Sequence, residues 1–199
     1  MGAFVLAKTA RLALVGVALT LGGCVTLDGL TGGSSERALT EAAQLRRSGK
    51  PDQAITVARN GLAERPGDAA LKGELGKSLV LAGKAGEAMP YLEAAVQATP
   101  NDWRLLTAMG SAFDQQGAVQ IAESWHRRAD AAGPNNPVVL NNWGLSLAQA
   151  GRSAEARALL ARAVTLPQAP VQAANNLKLL DEAAHRVSPG SSSLLPVQE

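Results

Sequence analysis

The stretch Gly144-Leu145-Ser146-Leu147-Ala148-Gln149-Ala150-Gly151-Arg152-Ser153-Ala154-Glu155-Ala156 decides the fold. Its small residues return at a fixed step of 34 toward the N-terminus. Gly144 is preceded by Gly110, Gly76 and Ala42; Gly151 by Gly117, Gly83 and Gly49; Ala156 by Ala122, Ala88 and Ala54. Outside the stretch, Gly61, Ala95, Ala129 and Ala163 keep the same step, as do Pro66, Pro100 and Pro134. Several independent columns sharing one period are the mark of a stacked repeat. Aromatic residues make up only 3% of the chain, while Ala and Leu abound, and these carry the lowest helical cost. Leu45, Leu79, Phe113 and Leu147 supply a large apolar position before each turn, Leu92 and Leu160 one after it. The recurring Gly at 49, 83, 117 and 151 suits the left-handed residue that ends a helix. The recurring Pro ends the second helix, and Asp68, Asp102 and Asn136 stand two residues later, where they can cap the next.

This pattern resembles the tetratricopeptide-repeat (TPR) family over about residues 35–168, with units at 35–68, 69–102, 103–136 and 137–170. The resemblance implies an all-α solenoid of about four helix-turn-helix repeats, each a helix A and a helix B. Gly76, Gly110 and Gly144 should let helix A approach helix B opposite Ala88, Ala122 and Ala156. Leu or Phe replaces the family's usual Tyr on helix A. Ala58 and Gly61 should make repeat 1 the loosest unit. Pro90 should delay or bend helix B of repeat 2, and repeat 4 has Gln168 where the closing Pro belongs. Val171 to Ala184 reads as a C-terminal capping helix with Ala174, Leu177, Leu180 and Ala184 on its apolar face. The repeat domain then spans 36–186, and 187–199, rich in Ser, Pro and Gly, reads as a disordered tail.

The first residues read as an address. Lys8 and Arg11 precede the apolar run Leu12–Leu21, and Leu21-Gly22-Gly23 leads into Cys24, the single cysteine. That is a signal-peptide layout over 1–23. The run is too short for a comfortable membrane span, which needs roughly 20 apolar residues. Leu21-Gly22-Gly23-Cys24 resembles a bacterial lipobox. This implies cleavage before Cys24, acylation there, and a palmitate-type anchor to a membrane. Val25, rather than Asp, follows Cys24, which in lipoprotein sorting of the enteric type implies the periplasmic face of the outer membrane. Residues 24–35, with three Gly and two Ser after the cysteine, read as a flexible tether. Without the two signal-peptide cations, the 17 remaining Lys and Arg balance the 17 Asp and Glu. A neutral chain lacks the footprint of a nucleic-acid binder.

Chemistry has little to stand on. Glu123-Ser124-Trp125-His126 and Glu182-Ala183-Ala184-His185 both match Glu-x-x-His, a motif of helical di-metal enzymes. Repeat 4 should separate them, and His126 shares a column with Leu92 and Leu160, which favours a half-buried packing or surface role. No nucleophile-and-base arrangement stands out. No catalytic residue, metal, cofactor or small-molecule substrate is therefore expected.

The helix A face is the better candidate, since in TPR proteins it commonly holds a peptide. Asn141 and Asn142 align with Asn175 and Asn176 one repeat later. A primary amide both donates and accepts, so these residues either bind a peptide backbone or bond to the neighbouring repeat. Arg104, Thr107, Ser111 and Asp114 should line the same face in repeat 3, and Lys77 in repeat 2. Asn135 to Leu145, the Ala163-Val164-Thr165-Leu166-Pro167 ending and the Asn-Leu helix after it are similar to the last repeat of TPR lipoproteins of tight-adherence (Flp) pilus systems. This implies a protein-binding scaffold with a pilotin-like role, its partner a secretin or pilus-assembly component. A type IV pilus pilotin, an outer-membrane-protein assembly subunit and an adaptor recruiting peptidoglycan hydrolases are the alternatives.

Overall fold

The computed structural model describes residues 27–187, with side-chain surroundings for 33–184. Helices follow one another throughout: α1 (Leu27–Arg47), α2 (Pro51–Glu64), α3 (Ala69–Leu81), α4 (Ala85–Ala98), α5 (Trp103–Gln115), α6 (Val119–Ala132), α7 (Pro137–Gln149), α8 (Ser153–Thr165) and α9 (Val171–Val187). Odd-numbered helices are the A helices and even-numbered ones the B helices. Each of α1, α3, α5 and α7 pairs with the B helix that follows it and stacks on the next A helix, and α9 packs on α7 and α8. The segment expected to be a signal peptide, the lipobox-like Cys24 and residues 188–199 of the expected tail lie outside the described residues, and Val187, read as the tail's first residue, is the last of α9. Residues 27–35, read from sequence as part of a tether, are instead the first turns of α1. Ser35 is buried there, its Oγ donating to Asp68 at 2.5 Å.

The turns follow from the repeating residues. Gly83 has φ of 75°, open to glycine and costly for a side chain, and Lys84 N donates to Leu79 O at 2.9 Å across it. The same bond recurs at Ala118 to Phe113 and Arg152 to Leu147. At the A-helix starts, Asp68 accepts from the amides of Ala70 and Leu71, Asp102 from Arg104, and Asn136 from Val138 and Val139. Each such cap contributes about 1 kcal/mol. Gln168 adopts φ of 59°, which the proline ring cannot reach, so the closing Pro is absent from repeat 4 for a backbone reason. Pro90 does not delay α4, which starts at Ala85 and runs 14 residues, as α2 and α6 do.

The core is built from the small-residue columns. Ala54, Ala88, Ala122 and Ala156 are fully buried, as are Ala129 and Ala163. A Cβ on Gly76 would lie 2.6 Å from Leu92, one on Gly110 2.6 Å from His126, and one on Gly144 2.8 Å from Leu160. The side chains over these glycines are thus Leu92, His126 and Leu160 rather than the alanines one turn earlier.

Both ends of the stack are closed by the sequence. Leu71, Leu75 and Ser78 of α3 are buried against repeat 1. Their counterparts one repeat earlier are Arg37, Glu41 and Gln44, all exposed and polar. At the far end α9 buries Ala173 and half-buries Leu177 and Leu180. Ala174 and Ala184, expected on the apolar face, are exposed. Ala174 takes the place of Leu140, whose face would pack on a following B helix. There α9 offers Lys178 and Asp181, and Asp181 accepts an ion pair from Arg157 of α8 at 2.9 Å. Among the described residues no helix is long and apolar enough to cross a membrane.

Candidate functional site

One face of each A helix is left uncovered by its B helix and by its neighbours in the stack. In α5 that side carries Arg104, Thr107, Ala108, Ser111, Asp114 and Gln115, spaced as one side of a helix, with Thr107 and Ala108 buried at its floor and Asp114 at its edge toward α6 and α7. Stacked, these faces form a concave groove. A cleft of about 400 Å³ in it gathers Lys77, Arg104, Thr107, Ser111 and Asn142 from three successive repeats. Five of the residues singled out by sequence therefore meet in one place. Arg46, Arg47, Val80, Leu81 and Trp103 join them, and sequence reasoning missed these. A second cleft of about 260 Å³ adjoins it and is lined by Leu81, Asp114, Gln115, Asn142 and Leu145. The signal for the missed residues was the same 34-residue step: Arg46, Val80 and Asp114 form one column, Arg47, Leu81, Gln115 and Gln149 another.

The asparagines stand in different surroundings. Asn176 Nδ2 donates to Asn141 Oδ1 at 3.0 Å across the repeat boundary, and Asn141 is only 7% exposed. This bond joins α9 to α7, as the stacking alternative for these residues expects. Asn142 is half-buried and lines both clefts. Asn175 is exposed beyond them. Thr107 lines the floor with its hydroxyl already donated to Trp103 O at 2.7 Å.

Charge at the site is held in place from below. Arg46 Nε donates to Glu74 Oε1 at 2.5 Å, and Lys77 Nζ to Glu74 Oε2 at 2.7 Å, with Glu74 2% exposed. Burial opposes ionisation of Glu74, and Lys77 and Arg46 together outweigh it, holding its carboxyl below the ordinary 4.5. A lowered carboxyl stabilises the fold above its unfolded value and loses that contribution as pH falls through the folded one. The melting temperature of the wild type should therefore exceed that of Glu74→Gln at neutral pH. The gap should close as the pH falls below the usual glutamate range; a gap that persists there would contradict the ion-pair account. The Arg104 guanidinium lies 4.4 Å from the centroid of the Trp103 ring, stiffened by a cation–π contact.

His126 is fully buried, not half-buried or at the surface as the sequence suggested. Its ring covers Gly110, and Nε2–H donates to Asp114 Oδ2 at 2.9 Å. Ser146 Oγ of α7 donates to Asp114 Oδ1 at 2.7 Å. A carboxylate at the groove floor thus ties both helices of repeat 3 to repeat 4. The serine bonds the carboxylate and not the imidazole, so the hydroxyl-to-imidazole order of an activated serine is not the one formed here. Glu123, the partner of His126 in the Glu-x-x-His pattern, instead accepts from Arg127 and Arg152, both at 2.7 Å. Among the described residues no group of three His, Cys, Asp or Glu is placed to hold a metal ion.

Stacked A–B pairs with small residues at the crossings and an open A-helix groove define the TPR class of helical-repeat proteins. The tetratricopeptide-repeat family model matches residues 45–109. The uncharacterised protein y4yS of Sinorhizobium fredii is 32% identical over 149 residues, spanning 68% of this chain and 80% of that protein. The chain belongs to the same family as y4yS, and its repeats are tetratricopeptide repeats. Cellulose synthase operon protein C of Pseudomonas fluorescens is 26% identical over 152 residues, covering 76% of this chain but 11% of that protein. Among solved structures, the thermophilic TPR protein TTC0263 of Thermus thermophilus superposes with a TM-score of 0.65 at 21% identity, over 79% of this chain and 93% of that one. PilF of Pseudomonas aeruginosa does so with a TM-score of 0.61 at 17% identity, over 80% and 72%. These two likenesses are of fold, and the fold implies protein partners.

Proposed function

We propose that the chain is a lipid-anchored scaffold of the bacterial envelope whose groove holds a segment of a partner protein, with a pilotin-like role in a tight-adherence (Flp) pilus or secretion system. The observation that carries the binding role is the pair of adjoining clefts, where Leu81 and Leu145 stand 55% and 40% exposed among polar groups. Apolar side chains grouped in a concavity, with donors and acceptors beside them, suit a binding surface. The Leu21-Gly22-Gly23-Cys24 run supports the anchor, and acyl chains would hold a neutral domain at the periplasmic face of the outer membrane. The likeness of residues 135–145 to TPR lipoproteins of tight-adherence systems supports the pathway.

Cys24→Ser tests the anchor. Wild-type protein should incorporate a clickable palmitate analogue and sediment with membranes, and the variant should do neither. Undiminished sedimentation of the variant would contradict a lipid anchor. Deleting the chain tests the pathway: assembled secretin multimers should fall in the outer membrane, and an unchanged amount would remove the pilotin-like role.

A further inference from the structure

We propose that the groove takes a partner segment of polarised composition, with carboxylates at the end meeting repeats 1 to 3 and apolar side chains at the end meeting repeat 4 and α9. This rests on the groove being the binding site. One column states the gradient: Lys77, Ser111, Leu145 and Leu179 occupy the same place on successive A helices. The lining runs from a cation through a hydroxyl to two leucines.

The basic end is dense. Arg46, Arg47, Lys77 and Arg104 surround the larger cleft. Buried Glu74 answers only Arg46 and Lys77, and Asp102 stands 3.9 Å from Arg104. Arg47 is exposed and makes no ion pair among the described residues. Between Ser111 and residue 184 the groove positions carry no Lys or Arg: α7 offers Val138, Asn142, Leu145 and Gln149, and α9 offers Asn175 and Leu179. Leu179 is 60% exposed. Of the exposed large apolar side chains among the described residues, Leu145 and Leu179 stand on the groove face at this end, while Leu81 stands on it beside the cations. A chain that balances its charges overall has therefore confined the cations of this surface to one end, around Leu81, and left Leu145 and Leu179 without cations at the other. A segment with matching polarity is held in one direction, because reversing it sets carboxylates against leucines and leaves the cations unanswered.

The test is selection of a random 12-residue peptide display library on the full chain, followed by affinity measurements with the enriched peptides. Enriched sequences should carry Asp or Glu clustered to one side of a Leu, Ile, Phe or Met. Their affinity should fall with salt and drop by roughly tenfold or more in Arg47→Glu/Arg104→Glu. Leu145→Ser should weaken binding through the other end of the peptide. Thermal melts of these surface variants should match wild type, so that lost binding is not lost folding. Enriched peptides without acidic bias, or acidic ones indifferent to the charge reversal, would overturn the polarity while leaving the groove as a binding site. No enrichment would count against the groove itself. If instead a single-stranded RNA 20-mer bound, and bound less to the charge-reversed variant, the basic end would be a nucleic-acid surface and the proposal would fall.

Discussion

Gly110→Leu should unfold the middle of the stack at a temperature well below wild type. Even the first carbon of a side chain there would lie 2.6 Å from Cε1, 2.7 Å from Nδ1 and 2.8 Å from Nε2 of His126. The ring has nowhere to go, since it is fully buried and bonded to Asp114. Overpacking alone costs about 1–3 kcal/mol, and displacing the ring breaks a bond to a carboxylate worth about 1.5–3 kcal/mol more. A total of about 3 kcal/mol or above corresponds to a fall of roughly 10 °C for a chain of this size. Gly67→Ala is the control: a Cβ there meets nothing within 4 Å, and its melt should be nearly unchanged. Equal melts for both glycine variants would mean that helices α5 and α6 do not cross where described.

Glu74→Ala should be the next most damaging change. It removes the single carboxylate between Arg46 and Lys77, whose side chains are 24% and 18% exposed. Two cations would face each other across a partly desolvated floor. Breaking a buried pair costs about 3–5 kcal/mol, and the partial exposure of both cations lowers the expectation here to about 2–3 kcal/mol. Glu74→Gln keeps the volume and one acceptor and should recover part of the loss. Chemical denaturation of the three proteins at neutral pH reads this directly; equal midpoints would mean the pair is worth no more than a surface contact.

Both predictions depend on features of different legibility. The crossing at Gly110 was visible in sequence, because close helix approach demands the same small residue every 34 positions and period survives divergence. The occupant of that crossing was misjudged. His126 sits in a column otherwise filled by Leu92 and Leu160, and a polar side chain there suggested partial exposure. What buries it is Asp114, 12 residues back on the partner helix, a pairing that no local pattern announces. Periodicity alone could not fix the register of α9, because the adjacent sets Ala174–Leu177 and Ala173–Leu177 are equally apolar. The 34-residue column Leu71, Leu105, Val139 and Ala173, buried at all of these positions, would have decided it. The basic end was half visible. Lys77 and Arg104 were placed on the groove face, but Arg46 and Arg47 lie at the last turn of α1, beside the turn glycine, and read as ordinary helix-end cations. The amide pair was the genuine ambiguity: a donor–acceptor side chain serves stacking and ligand equally well, and only the Asn176 to Asn141 bond separates those residues from Asn142.

The most direct measurement of the central claim, that the A-helix groove is where the partner is held, is in-cell photocrosslinking from Ser111 and Asn142, with Ser124 on the exposed face of α6 as the comparison. The account predicts that a secretin or pilus-assembly component is trapped from both groove positions and not from Ser124. Adducts from Ser124 with none from Ser111 or Asn142 would contradict it and move the binding surface to the B helices.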